Sequence, residues 1–158
     1  MTSFDSVRYI EKTKIYYEAQ GFDVPYRWAH HDAAPFTTLR KPLAKSRIAL
    51  ASTASTYPSK LLDHRKVEAR SNEELPTKLY AEDLAWDREA THLNDRGSFF
   101  PLEVLQSLVA KRFIGEIARR SYFLPTEYSQ RKTSQTDAQL VLQLCQEDKI
   151  DALLLVPL

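Results

Sequence analysis

The sequence has few glycines, and their scarcity restricts the ligand sites that it can build. Gly21, Gly97 and Gly115 are the three glycines in 158 residues. Phosphate-binding loops such as GxGxxG or GxxxxGK need closely spaced glycines, because the backbone must approach the phosphates. These three glycines fit neither pattern, which excludes a glycine-rich nucleotide cradle of either type.

Cysteine is scarcer still, with Cys145 as the single example. One cysteine cannot form a disulfide within the chain or build a cysteine-based zinc cluster. Cys145 follows the apolar Val141 and Leu142 on a predicted helix, which indicates a buried structural thiol. His30 and His31 are adjacent and would point to opposite sides of an extended segment, which makes them poor joint ligands. We therefore expect no metal and no organic cofactor.

A long hydrophobic run and an excess of one charge are also missing. No stretch reaches the roughly 18 apolar residues that suggest a membrane span. The first residues, MTSFDSVRYIEKTK, carry charges where a signal peptide needs an apolar core. The formal net charge is +1, with lysine and arginine spread along the chain. These features predict a cytoplasmic protein that binds neither membranes nor nucleic acid.

What the sequence does contain is an alternation of strands and helices. The predicted elements are a helix over 4–20, strands over 47–52 and 78–84, a helix over 101–112, a strand over 114–118, a loop over 119–122, a helix capped by Thr136 or Asp137, and a strand over 150–158. Such alternation is typical of βαβ units. We expect an α/β fold with an open, mainly parallel, Rossmann-like sheet and flanking helices. Residues 1–45 would form an N-terminal helix and a wrapping extension, and residues 46–158 the sheet domain.

The last predicted strand is apolar at every position from Leu153 to Val156. A run of this kind predicts a strand covered on both faces inside a sheet. In open α/β sheets, ligands bind beyond the carboxyl ends of the strands, in the loops that lead into the next helix. Because the sequence stops at Leu158, we expect the sheet to be incomplete at this end and its chemistry to follow Leu158.

Four segments in a fixed order resemble component B (selenoprotein B) of the glycine, sarcosine and betaine reductases, and the similar small subunit of D-proline reductase. They are PYRW at 25–28, PLAKSRIALASTAS at 42–55, FFPLEVLQSLVAKRFIGEIARRSYFL at 99–124 and KIDALLLVP at 149–157. In that family the next element is a redox motif, a selenocysteine or cysteine followed three positions later by cysteine. The resemblance implies that this chain lacks the redox-active residue and that the residue would follow Leu158.

The resemblance also implies an activity, which composition does not indicate. The family member would be an oxidoreductase component that cleaves a C–N type bond, with a dithiol or a thioredoxin-like protein as electron donor. It would act with other reductase subunits, in an oligomer, and the present chain by itself would be inactive. A UGA selenocysteine codon that is read as a stop would explain the end at Leu158. The alternative is a non-catalytic paralogue that binds a small ligand or a partner through an exposed sheet edge.

Two pairs of residues are candidates for substrate binding. Ser52 and Thr53 close the first strand and would lie on the ligand edge of the sheet, although hydroxyls there also satisfy turn amides. His92 and Asp95 lie between predicted elements, and a histidine near a carboxylate can act as an acid or a base. Local hydrogen bonds that hold the loop are the alternative for this second pair.

Arg119 and Tyr122 are the remaining candidates. Arg119, or the adjacent Arg120, could pair with a substrate carboxylate, and Tyr122 could donate a hydrogen bond to it. The family's histidine before this tyrosine is Ser121 here, which weakens an acid–base role. A surface charge and a packed tyrosine are the alternatives.

Overall fold

The structure is a computed structural model that describes residues 8–22, 24, 27–35, 37–58, 66–81, 92–124, 126–127 and 129–158. The chain divides into two compact units, residues 1–36 and residues 37–158, which are described separately. The boundary expected after residue 45 stays a prediction. Within the described residues, no helix has both the length and the apolar character needed to cross a membrane.

The regular elements follow in chain order. The helices are α1 (Tyr9–Ala19), α2 (Leu102–Ala110), α3 (Gln130–Lys132) and α4 (Ala138–Glu147), with a π-helical turn at Thr133–Asp137 between the last two. The strands are β1 (Arg47–Ser52), β2 (Glu68–Ser71), β3 (Glu116–Ile117), β4 (Arg120–Phe123) and β5 (Ala152–Val156). Short 3-10 turns lie at Leu43–Lys45 and Arg96–Ser98.

In the first unit, α1 confirms the predicted helix over its described part. The helix ends where Gly21 adopts a φ of +84° and its N–H donates to the Glu18 carbonyl at 3.0 Å. A positive φ is accessible to glycine at little cost, which explains why the helix stops there. Residues 4–7 of the predicted helix lie outside the described residues, as do Tyr26 and Phe36 in the predicted wrapping extension.

The second unit is an α/β open sheet built around β1. β1 pairs in parallel with β3 and β4 on one side and with β5 on the other. β2 adds to β4 in the antiparallel direction, with Ala69 opposite Tyr122. The predicted α/β class and the mainly parallel sheet are therefore confirmed for this unit.

β3 and β4 run along the same side of β1 and are separated by a bulge. β1 advances from Ile48 to Ala51 while its partner advances from Ile117 to Tyr122, which leaves two extra residues on the partner. Asn72 holds this bulge: its N–H donates to the Arg119 carbonyl and its Nδ2 to the Ala118 carbonyl, both at 2.8 Å. The Ser121 hydroxyl donates to Asn72 Oδ1 at 2.6 Å.

The two faces of the sheet carry separate cores. On one face, Ile48 and Leu50 of β1 pack with Leu102 and Leu105 of α2. On the other, Ala49 and Ala51 pack with Tyr122 of β4 and with Val141, Leu144 and Cys145 of α4. Alternation along β1 therefore sends side chains into both layers, which explains its continuous apolar run.

Two predictions about local structure are wrong, and one strand lies where the sequence predicts no element: residues 68–71 form β2 against β4. The predicted loop over 119–122 is mostly strand β4, because pairing with two neighbouring strands outweighs the polar composition of Arg120 and Ser121. Residues 78–81 of the predicted second strand contribute one bridge, between Ser55 and Tyr80, and residues 82–84 lie outside the described residues.

The prediction for the last helix is also corrected. Asp137 makes no side-chain cap, and the helical segment starts earlier, where Ser129 Oγ accepts a hydrogen bond from the Lys132 N–H at 3.3 Å. Val141 and Cys145 face the core as predicted, but Leu142 is 52% exposed.

The expected burial of the last strand is wrong for two of its residues. Leu154 is 40% exposed and Leu155 is 63% exposed, on opposite faces of β5. Among the described strands, β5 pairs with β1 alone, so it forms an edge of the sheet. Its apolar composition therefore does not mean that both of its faces are covered.

Candidate functional site

Three parallel strands end together at the carboxyl edge of the sheet. Ser52, the last residue of β1, lies opposite Phe123 of β4 on one side and Val156 of β5 on the other. Loops at such an edge commonly hold the ligands of open α/β sheets. This carboxyl edge is therefore the first candidate site.

Ser52 is fixed inside this edge. It is buried, its hydroxyl donates to the Phe99 carbonyl at 3.1 Å, and its Oγ accepts a hydrogen bond from the Ala54 N–H at 3.2 Å. Both bonds are internal to the fold. The bond to Phe99 ties the end of β1 to the segment that precedes α2, and the bond from Ala54 holds the turn after β1.

Thr53 contacts the residues that follow β5. Its Oγ1 accepts a hydrogen bond from the Leu158 N–H at 2.8 Å and donates to the Leu158 carbonyl at 3.3 Å. One hydroxyl thus binds both polar backbone groups of Leu158. The sequence offered no signal for this contact, because the two residues are 105 positions apart.

His92 and Asp95 are exposed residues of the segment before α2. The His92 Nδ1 accepts a hydrogen bond from the Asn94 N–H at 3.3 Å. The Asp95 carbonyl accepts one from the Ser98 hydroxyl at 2.7 Å. Within the described part of the chain, no hydrogen bond joins the His92 ring to the Asp95 carboxylate. The two hydrogen bonds each join residues two or three positions apart, so they hold the loop locally.

Arg119 lies at the opposite end of the sheet. It lines a cavity of about 310 Å³ together with Ser71, Glu73, Arg120 and Asp148. Its side chain is exposed and has no hydrogen bond or ion pair with the described residues. The two acids and two arginines that line the cavity balance in charge, so it has no net preference for an anion.

Tyr122 is completely buried between β4 and α4. Its hydroxyl donates to Asp148 Oδ2 at 2.7 Å and lies 3.3 Å from the Leu144 carbonyl oxygen. Burial, followed by the hydrogen bond to Asp148, raises the pKa of Tyr122 well above its ordinary value. The hydroxyl is engaged within the fold and does not line the cavity.

Asp148 binds two arginines from different strands, although the sequence did not mark it as a candidate. Arg120 binds both of its carboxylate oxygens, and Arg47 Nη1 donates to its backbone carbonyl at 2.8 Å. A signal was present: Glu147 and Asp148 lie at the carboxyl end of α4, where the helix dipole disfavours acids. Two acids there indicate that cations lie nearby.

Cys145 lies half-buried on the inner face of α4. Burial raises the pKa of its thiol, and this effect outweighs the lowering influence of the nearby Tyr122 hydroxyl. A thiol with a raised pKa carries little thiolate at neutral pH and is a poor nucleophile.

The six candidates therefore do not form a single site. Ser52 and Thr53 lie together at the carboxyl edge, and Arg119 lines the cavity at the other end. In the part of the chain that the structure covers, no group of three or more histidine, cysteine or acidic side chains could hold a metal ion. The comparisons add no relative: no protein-family model, curated protein or solved structure matches the chain.

Proposed function

We propose that the chain is the sheet domain of a thiol- or selenol-dependent reductase component similar to those of glycine, betaine and D-proline reductases. The supporting observation is the contact of Leu158 with Thr53 at the carboxyl edge. The segments 42–55 and 149–157, which carry part of the resemblance, form the paired strands β1 and β5. A redox residue that followed Leu158 would emerge at the edge where open α/β sheets bind ligands.

The proposed reaction is a two-electron reduction. A C–N type bond of the substrate breaks, and its carbon and nitrogen each gain a proton. Oxidation of a selenol–thiol or dithiol pair to a selenide-sulfide or disulfide supplies the two electrons. An external dithiol or a thioredoxin-like protein then reduces that bond. Other reductase subunits are the proposed partners, and the cytoplasm is the proposed compartment because it keeps such thiols reduced.

The described residues fit the role of a scaffold. β1 lies between β4 and β5, with α2 packed on one face and α4 on the other. We take this as support for the Rossmann-like arrangement. Cys145 is on the inner face of α4 and has a raised pKa, so it does not replace the redox residue.

The gene supplies the direct test. We expect the codon after Leu158 to be UGA or a cysteine codon, followed in frame by a cysteine codon three positions later. Iodoacetamide labelling and mass spectrometry of the natural product should then find a modified selenocysteine or cysteine directly after Leu158. A UAA or UAG codon there, or no redox motif in frame, contradicts the proposal. Thiol-dependent reductase activity of the 158-residue chain would also contradict it.

Partner binding through β5 is a second candidate. The Asp151 N–H donates to the Arg47 carbonyl at 2.9 Å, so alternation along the strand turns the backbone groups of Ala152, Leu154 and Val156 away from β1. An apolar strand with a free edge can pair with another strand. If it does, the 158-residue chain should be oligomeric in light scattering, and Leu155→Lys should make it monomeric. A monomeric parent chain contradicts this candidate.

A further inference from the structure

We propose that the cavity at the amino edge of the sheet, where β4 begins, binds a small zwitterion. Arg119 would bind the carboxylate of this ligand and Glu73 its ammonium group, since both residues line the cavity. The inference uses described residues alone, so it does not depend on the proposed reductase function.

Two of the charged side chains that line the cavity have no partner. Arg119 and Glu73 are exposed, and neither side chain makes a hydrogen bond or an ion pair with the described residues. The other two charged residues, Arg120 and Asp148, bind each other through contacts of 3.1 and 2.9 Å. The groups left for a ligand are therefore one cation and one anion, which suits a molecule that carries both charges.

The two free charges are held on neighbouring backbone segments. Arg119 lies in the bulge between β3 and β4, and its carbonyl accepts a hydrogen bond from the N–H of Asn72, the residue before Glu73. Bulges often re-aim a side chain at a functional site. Although their backbones are close, the Arg119 guanidinium and the Glu73 carboxylate form no ion pair with each other. The arrangement leaves two opposite charges open for a ligand to bridge.

The size and polarity of the cavity restrict the ligand further. Its volume of about 310 Å³ is at the lower end of the range for small-molecule pockets, about 300–1,000 Å³. Ser71 adds a hydroxyl whose oxygen accepts a hydrogen bond from the Glu73 N–H at 3.3 Å, and whose proton has no acceptor among the described residues. Because the lining charges balance, a simple anion or cation gains little there. These features favour a compact molecule with separated charges, such as a dipeptide.

The first experiment titrates the 158-residue chain with glycylglycine and follows the titration by NMR. The amides of Ser71 and Arg119 should shift and saturate in the millimolar range, as expected for so small a ligand. Glycylglycinamide lacks the carboxylate and N-acetylglycylglycine lacks the ammonium group. Each should bind about tenfold more weakly, because each loses one charge-assisted contact. Equal binding of the three peptides, or no shift at either residue, overturns the proposal.

The second experiment assigns each charge of the ligand to its residue. Arg119→Gln should bind glycylglycine and glycylglycinamide within about twofold of each other, because the carboxylate has lost its partner. Glu73→Gln should likewise no longer distinguish glycylglycine from N-acetylglycylglycine. Glu74→Gln is the matched control, since Glu74 is an exposed neighbour that does not line the cavity, and it should bind all three peptides as the parent does.

A preference for glycylglycine over its amide that survives in Arg119→Gln overturns the role of Arg119. A preference over the N-acetyl peptide that survives in Glu73→Gln overturns the role of Glu73. The comparison of the three peptides on the parent chain needs no variant, so it decides the proposal even if a variant does not fold.

Discussion

The guanidinium of Arg120 binds both carboxylate oxygens of Asp148, from Nε at 3.1 Å and from Nη2 at 2.9 Å. This fork connects β4 to the end of α4, and the Tyr122 hydroxyl adds a third hydrogen bond to the same carboxylate. Two-point contacts of this kind are the stronger class of ion pair. The arrangement offsets the unfavourable position of an acid at a helix carboxyl end.

Replacement of Asp148 by asparagine should destabilise the fold. Asp148→Asn removes the charge that Arg120 and the buried Tyr122 hydroxyl share, and we expect a loss of about 2–3 kcal/mol in the free energy of unfolding. Urea denaturation measures it. Glu147→Gln is the matched control, because Glu147 makes one contact of 3.4 Å with Arg120 and should cost less than about 1 kcal/mol. Equal losses in the two variants would contradict the assignment.

The same carboxylate should make stability depend on pH. Burial favours its neutral form, but hydrogen bonds from Arg120 and Tyr122 outweigh burial and lower the pKa of Asp148. The stabilisation that the Asp148 carboxylate gives the folded state is therefore complete above the unfolded pKa of about 3.9. It is lost as the pH falls through the lower pKa of the folded state. Urea unfolding should show stability decreasing between about pH 5 and pH 2, and decreasing less in Asp148→Asn. Parallel pH curves for the two proteins would refute this.

Gly115 should not tolerate a side chain. A Cβ there would lie 2.7 Å from the Lys45 carbonyl carbon and 2.8 Å from the Ser46 nitrogen, and backbone atoms cannot easily move away. Gly115→Ala should cost about 1–3 kcal/mol of stability in thermal or urea unfolding. Gly97→Ala is the control, because its Cβ would meet only Asp95 Oδ1, at 3.4 Å. The prediction fails if both variants are equally stable.

Two adjacent residues of α4 should differ in how much stability is lost when their side chains are truncated. Val141 is 7% exposed and packs against the β1 face of the sheet, whereas Leu142 is 52% exposed. We expect Val141→Ala to cost about 1–2 kcal/mol, from the loss of buried methyl groups. Leu142→Ala should change stability by less than about 0.5 kcal/mol. A larger loss of stability in Leu142→Ala than in Val141→Ala would contradict this assignment, because it would place Leu142 on the buried face of α4.

The sequence by itself determined the elements whose signals are local. RIALAS predicts β1 because a continuous apolar run suits a strand with both faces covered, and Pro101 followed by Leu102 and Leu105 predicts α2. The alternation of such elements was enough for the α/β class. In each case the deciding residues lie within a few positions of one another.

Only the tertiary structure decided which candidates meet. Thr53 contacts Leu158 at the carboxyl edge, whereas Arg119 lies in the bulge before β4, where its carbonyl accepts a hydrogen bond from the Asn72 N–H. The tertiary structure also left Leu155 exposed on an edge strand, although its sequence suggests a buried one. Hydrophobic patterns specify which residues suit a buried position, but strand order and coverage depend on contacts between distant residues. Those contacts depend on the packing of the whole unit, so no local pattern encodes them.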